Sequence, residues 1–70
     1  MNDFMQRYGK VEAKLLYADA DFSIIKPGAF VHCAITNKSI ALDELKYWNV
    51  DRQEAYADVD AATIAYLKYK

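Results

Sequence analysis

The sequence predicts a small α+β domain: an antiparallel sheet of three to four short strands with a C-terminal helical segment packed on it. Three observations carry this. The chain has 70 residues, enough for one domain spanning 1–70. Residues 13–42 alternate apolar and polar side chains between turn residues, the mark of short strands. Residues 58–70 carry an alanine-rich run at helical spacing.

The elements follow in order. Residues 1–10 show no sustained period and read as a flexible arm; Met1, Phe4, Met5 and Tyr8 lie about a helical turn apart. Ala13 to Tyr17 is a first strand, with Leu15 and Tyr17 on one face and Lys14 and Leu16 on the other. Ala18 to Asp21 is an acidic turn, and Phe22 to Lys26 a second strand. Pro27-Gly28 has the chemistry of a type II turn, with Gly28 taking positive φ in a longer loop or bulge. Ala29 to Ile35 is a third strand whose uniformly apolar face (Ala29, Val31, Cys33, Ile35) points inward. Thr36 to Ser39 is a polar turn with Asn37 suited to left-handed geometry. Ile40 to Leu42 is a short fourth strand that completes an antiparallel meander.

After Leu42 the period changes. Asp43 is placed to cap a short helical turn carrying Leu45, Tyr47 and Trp48. Asp51 and Glu54 have capping-box spacing. Asp58 and Asp60 are placed to start a further helix through Ala61, Ala62, Ile64, Ala65 and Leu67, with lysines at its C-terminal end.

Composition narrows the function classes. A chain this short buries only about 60% of its unfolded surface and is marginal without disulfides, metal or oligomerisation. The single cysteine, Cys33, forms no internal disulfide, which excludes a disulfide-stapled scaffold and fits a reducing compartment. At 54% hydrophobic, with six Tyr, three Phe and one Trp, the chain is too apolar to be disordered. The formal net charge of −1, with Lys and Arg scattered, disfavours a phosphate-backbone partner. The opening MNDFMQRYGKVE has no continuous apolar core, so no signal peptide is expected. No apolar run approaches the ~18 residues of a membrane span, and the expected location is cytoplasmic.

The central stretch carries a distinctive pattern. It runs Lys26-Pro27-Gly28-Ala29-Phe30-Val31-His32-Cys33-Ala34-Ile35-Thr36-Asn37, then Ile40-Ala41-Leu42-Asp43-Glu44-Leu45-Lys46-Tyr47-Trp48 and Asp51-Arg52-Gln53-Glu54-Ala55-Tyr56. Over about residues 13 to 57 it resembles a family of short uncharacterised bacterial proteins, a domain of unknown function with the pattern CAVTGxxIPLxxLxYWxVxRQExY. Asn37 stands where that family usually has Gly, and Ala41 where it usually has Pro. Both positions are turn-like, and Asn is the best non-Gly residue for left-handed backbone. The resemblance implies no activity.

No catalytic constellation is visible. Cys33-Ala34-Ile35-Thr36-Asn37 has the outline of a zinc-ribbon knuckle with Thr36 in place of the second cysteine. Structural zinc takes four ligands, and this chain offers one Cys and one His, adjacent and on opposite strand faces. A zinc-ribbon-like architecture without metal is therefore expected, and no cofactor. Cys33 on an apolar face reads as a buried, inert thiol. The pairs Asp43-Glu44 and Asp51/Glu54 read as helix N-terminal charges rather than acid–base catalysts. Trp48 reads as core. Tyr47, Arg52, Gln53 and Tyr56 are the candidate binding residues, because aromatics and Arg are the usual interface anchors. The leading expectation is a non-catalytic protein-interaction module, binding another protein or itself. The alternatives are a nucleic-acid-binding accessory protein, which stacks bases on exposed aromatics, and a small redox protein using Cys33.

Overall fold

Alternation makes Lys14–Tyr17 (β1) extended, and it buries Leu15 and Tyr17 while Lys14 and Leu16 stay outside. The computed structural model describes residues 11–69, so the expected arm at 1–10 lies outside the described residues. Phe22–Lys26 (β2) pairs antiparallel with β1, Tyr17 opposite Phe22 and Leu15 opposite Ile24, with a bulge between Lys14 and Leu15. Phe30–His32 (β3) pairs antiparallel with Ser39–Ala41 (β4), placing Val31 opposite Ile40. The inward face is the expected one: Ala29, Val31 and Cys33 are buried and Ile35 is half-buried. Asn37 turns the chain between β3 and β4 at φ 64°, in the left-handed region.

The strands do not form one meander of three to four. Among the described residues they form three separate two-stranded antiparallel sheets. The reason lies at Gly28. Its φ is not positive, so the expected type II role does not apply. Instead the chain there presses against the segment entering β1: Ala29 N donates to Val11 O at 2.9 Å and Ala13 N to Phe30 O at 2.7 Å. A Cβ on Gly28 would stand 2.2 Å from Ala13 N and 2.5 Å from the Glu12 carbonyl carbon. Only glycine allows that approach. It draws β3 into a parallel bridge at Glu12 and Phe30, and away from β2.

Residues 42–57 also differ from expectation. Leu42–Glu44 is a 3-10 turn preceded by Ala41, with no side-chain cap from Asp43. Tyr47 and Trp48 are not helical. They lie in Tyr47–Asn49 (β5), which pairs antiparallel with Glu54–Tyr56 (β6), Tyr47 opposite Tyr56 and Trp48 opposite Ala55. The Asp51/Glu54 capping box does not form, since Asp51 sits in the hairpin turn and Glu54 in β6. Asn49 organises that turn instead: its Oδ1 accepts from Arg52 N at 2.7 Å. Gln53 closes the turn at φ 55°.

Val59–Lys68 (α1) starts as the acidic residues predict. Asp58 is its N-cap, accepting from Ala61 N at 2.9 Å. Ala61 and Ala65, one turn apart, are 1% and 2% exposed and seat the helix against β5 and β6. A parallel bridge between Cys33 and Ala55 joins β6 to the end of β3, backed by Ala34 N donating to Ala55 O at 2.9 Å. The core forms at this junction, from Leu15, Tyr17, Val31, Cys33, Ile40, Leu45, Ala55, Tyr56 and the two helix alanines.

Candidate functional site

An open groove of about 890 Å³ is lined by the β5–β6 hairpin, by α1 and by Asp19 and Ala20 of the β1–β2 turn. Strand β5 contributes Tyr47 and Trp48, and β6 contributes Tyr56. The helix contributes Ala62, Ala65 and Tyr66, and Tyr69 follows at its C-cap. Five aromatic side chains therefore line one groove. Lys46, Arg52, Asp19 and Asp51 also line it, two charges of each sign.

Each side chain has a defined setting. Tyr47 is 39% exposed, whereas its cross-strand neighbour Tyr56 is 5% exposed. The Tyr56 hydroxyl donates to Glu54 Oε1 at 3.0 Å. Burial and this bond to a carboxylate push the phenol up to about 12. Arg52 lays its guanidinium over the Tyr69 ring, with Cζ 3.4 Å from the centroid. Trp48 is half-buried and joins the groove to the first hairpin. It stacks near Tyr17 at 6.0 Å, meets Phe22 edge-on at 5.7 Å, and donates Nε1–H to Ala18 O at 2.7 Å.

Of the four sequence candidates, the structure brings Tyr47, Arg52 and Tyr56 together and takes Gln53 elsewhere. The Gln53 amide faces β1: Oε1 accepts from Tyr17 N at 2.8 Å and Nε2 donates to Tyr17 O at 2.9 Å. Nε2 also donates to Val50 O at 2.7 Å. The side chain thus pairs with β1 as a neighbouring strand would, and locks the two hairpins together. Sequence reasoning missed the helix wall of the groove. Its signal was the spacing of Ala62, Ala65, Tyr66 and Tyr69, which falls on one stripe of a helix.

Cys33 is 2% exposed, as its apolar face predicts, yet its sulfur has polar company. Ile35 N and Thr36 N both donate to Sγ at 3.4 Å. Burial raises the thiol, but hydrogen bonds from Thr36, Ala57 and Ile35 outweigh it and hold the thiol below its ordinary value. His32 points to the other face, where Nδ1 lies 3.2 Å from Glu12 Oε2. Among the described residues no group of three or more His, Cys, Asp or Glu side chains is arranged to hold a metal ion. No helix among them is long and apolar enough to cross a membrane.

Among the described residues, three hairpins and one α-helix, with an aromatic groove at the last hairpin, define a small α+β protein. The chain belongs to the family described as "Uncharacterized protein conserved in bacteria (DUF2093)", whose model matches residues 24–65, more than half its length. The match takes in β3 to β6, Cys33 and Arg52, and ends within α1, so Tyr66 and Tyr69 lie beyond it. Neither a curated protein nor a solved structure matches the chain.

Proposed function

We propose that this chain is a non-catalytic protein-interaction module of the cytoplasm, and that the groove between β5–β6 and α1 is its binding surface. One observation carries the proposal: Tyr47, Trp48, Tyr56, Tyr66 and Tyr69 line a single open groove beside Arg52. Interface centres are enriched in these residue types, because large rigid rings bury much surface at little entropic cost. The test is affinity capture of the tagged protein from lysate of its source cell, with and without nuclease. A stoichiometric protein partner that survives nuclease, and that Tyr47→Ala and Arg52→Ala release, supports the reading. A partner retained by both variants overturns the site. Partners lost on nuclease treatment favour the nucleic-acid alternative.

The β3–β4 turn supports a metal-free zinc-ribbon-like knuckle as its local architecture. Two successive amides donate to Cys33 Sγ and Asn37 takes the left-handed position, as a knuckle requires. The same contacts favour a second reading, a Cys33-dependent redox protein, since amide and hydroxyl donors stabilise a thiolate. Burial of the sulfur opposes it. Alkylation of the folded protein separates the two: a rate far below that of the unfolded chain excludes redox use of Cys33.

A further inference from the structure

We infer that Arg52, held flat on Tyr69, and Lys68 form an oxyanion site at one end of the groove, which takes a carboxylate or phosphate group. The inference deepens the groove reading above, because Arg52 and Tyr69 line that groove, and it names what a partner presents there. Arg52 Cζ lies 3.4 Å from the Tyr69 ring centroid. At that distance the guanidinium lies flat on the ring, since a tilted one would drive a nitrogen into it. Stacking uses the face of the guanidinium and leaves its N–H donors pointing outwards in its plane. Among the described residues nothing accepts from them; the bond from Arg52 to Asn49 Oδ1 uses the backbone N–H. A fork of fixed orientation with unspent donors is what bidentate recognition of a carboxylate or phosphate needs.

A second cation meets the same ring. Lys68 Nζ lies 5.4 Å from the Tyr69 centroid. The dipole of α1 accounts for Lys68 in its last turn, but Arg52 arrives from the β5–β6 turn. Two cations at one ring repel each other, and an oxyanion shared by both reverses that term. Asp19 and Asp51 line the groove as well, yet among the described residues neither forms an ion pair with Arg52 or Lys68. Their charge favours a single anionic group at Arg52 over a polyanion laid along the groove. Arg52 and Lys68 are exposed, so water and salt screen the site, and a free anion binds with roughly millimolar affinity.

The experiment titrates the full chain with inorganic phosphate and, separately, with acetate, at constant ionic strength balanced by chloride. The readout is the side-chain resonances of Arg52, Lys68 and Tyr69. The expected result is a saturating shift at all three that chloride does not reproduce. The tighter of the two anions identifies the group the site prefers. Arg52→Lys keeps the charge and loses the fork, so it should weaken that anion roughly tenfold. Tyr69→Leu removes the platform and should weaken it as well. A shift that grows without saturating overturns the oxyanion site, and so does an Arg52→Lys or Tyr69→Leu chain that binds as wild type does. If neither anion binds while Tyr47→Ala releases a captured partner, the oxyanion site falls and the groove stands. If an anion saturates Arg52 while a captured partner ignores Tyr47→Ala, the oxyanion site stands and the groove reading falls.

Discussion

At the scale of single residues, two side chains on the β5–β6 hairpin make measurable commitments. Gln53 makes three hydrogen bonds, to Tyr17 N, Tyr17 O and Val50 O. Gln53→Ala should lose about 2 kcal/mol in denaturant titration, near the net worth of those bonds. Gln53→Glu should do no better despite its similar shape, because a carboxylate only accepts and would face two carbonyl oxygens. Equal stability of wild type and Gln53→Glu would show that the lock is unimportant. Tyr56 gives a pH signature. Its unfolded phenol ionises near the ordinary 10.0, while the folded phenol holds its proton to about 12. The stability it contributes is whole below pH 10 and declines as pH rises towards 12. Alkaline unfolding should show this loss, on the order of 2 kcal/mol, and Tyr56→Phe should abolish that part of the pH dependence. An unchanged alkaline limb in Tyr56→Phe would assign the loss to other groups.

At the scale of elements, the joins matter more than the strands. Each sheet has only two strands, and an isolated hairpin is marginal in water. What holds them together is the backbone contact at Gly28, the Gln53 lock, the Trp48 contact to Ala18 and the Cys33–Ala55 bridge. Gly28→Ala should therefore be among the most damaging small substitutions, because the new methyl meets backbone atoms that cannot rotate away. A loss at or above the upper end of the ~1–3 kcal/mol typical of overpacking is expected. In a domain of this size that lowers the melting midpoint by more than about 10 °C. A Gly28→Ala protein melting within a few degrees of wild type would refute the close approach. Asp58→Ala should cost about 1 kcal/mol, the usual value of an N-cap, and reduce helicity in α1 by circular dichroism.

At the scale of the whole molecule, the chain places its aromatic side chains unevenly. Tyr17, Phe22 and Trp48 tie the first hairpin to the third, while Tyr47, Tyr66 and Tyr69 remain accessible along the groove. A second apolar patch lies on the first hairpin, where Leu16, Ile24 and Ile25 are each more than half exposed. Its edge is guarded by a bulge, Lys26 and Pro27, features that discourage edge pairing.

What the sequence determined by itself was local. Alternation set β1, β2 and the inward face of β3, Asn37 set its turn, and Asp58 with the alanines set α1. Tyr47, Arg52 and Tyr56, chosen by residue type, line one groove, and Gln53 does not. A helical turn capped by Asp43 and carrying Tyr47 and Trp48, and a capping box at Asp51 and Glu54, are what local spacing suggests, and neither forms. Aromatic β5 and β6 won because pairing them sets Trp48 over Tyr17 and buries Ala55 and Tyr56. Propensity is worth fractions of a kcal/mol per residue, and burial of such rings outweighs it. Only the tertiary structure decided how the hairpins divide into three sheets, that Gln53 faces β1 rather than the groove, and that Arg52 lies on Tyr69. Each depends on residues distant in sequence meeting in space, and no local pattern encodes that meeting.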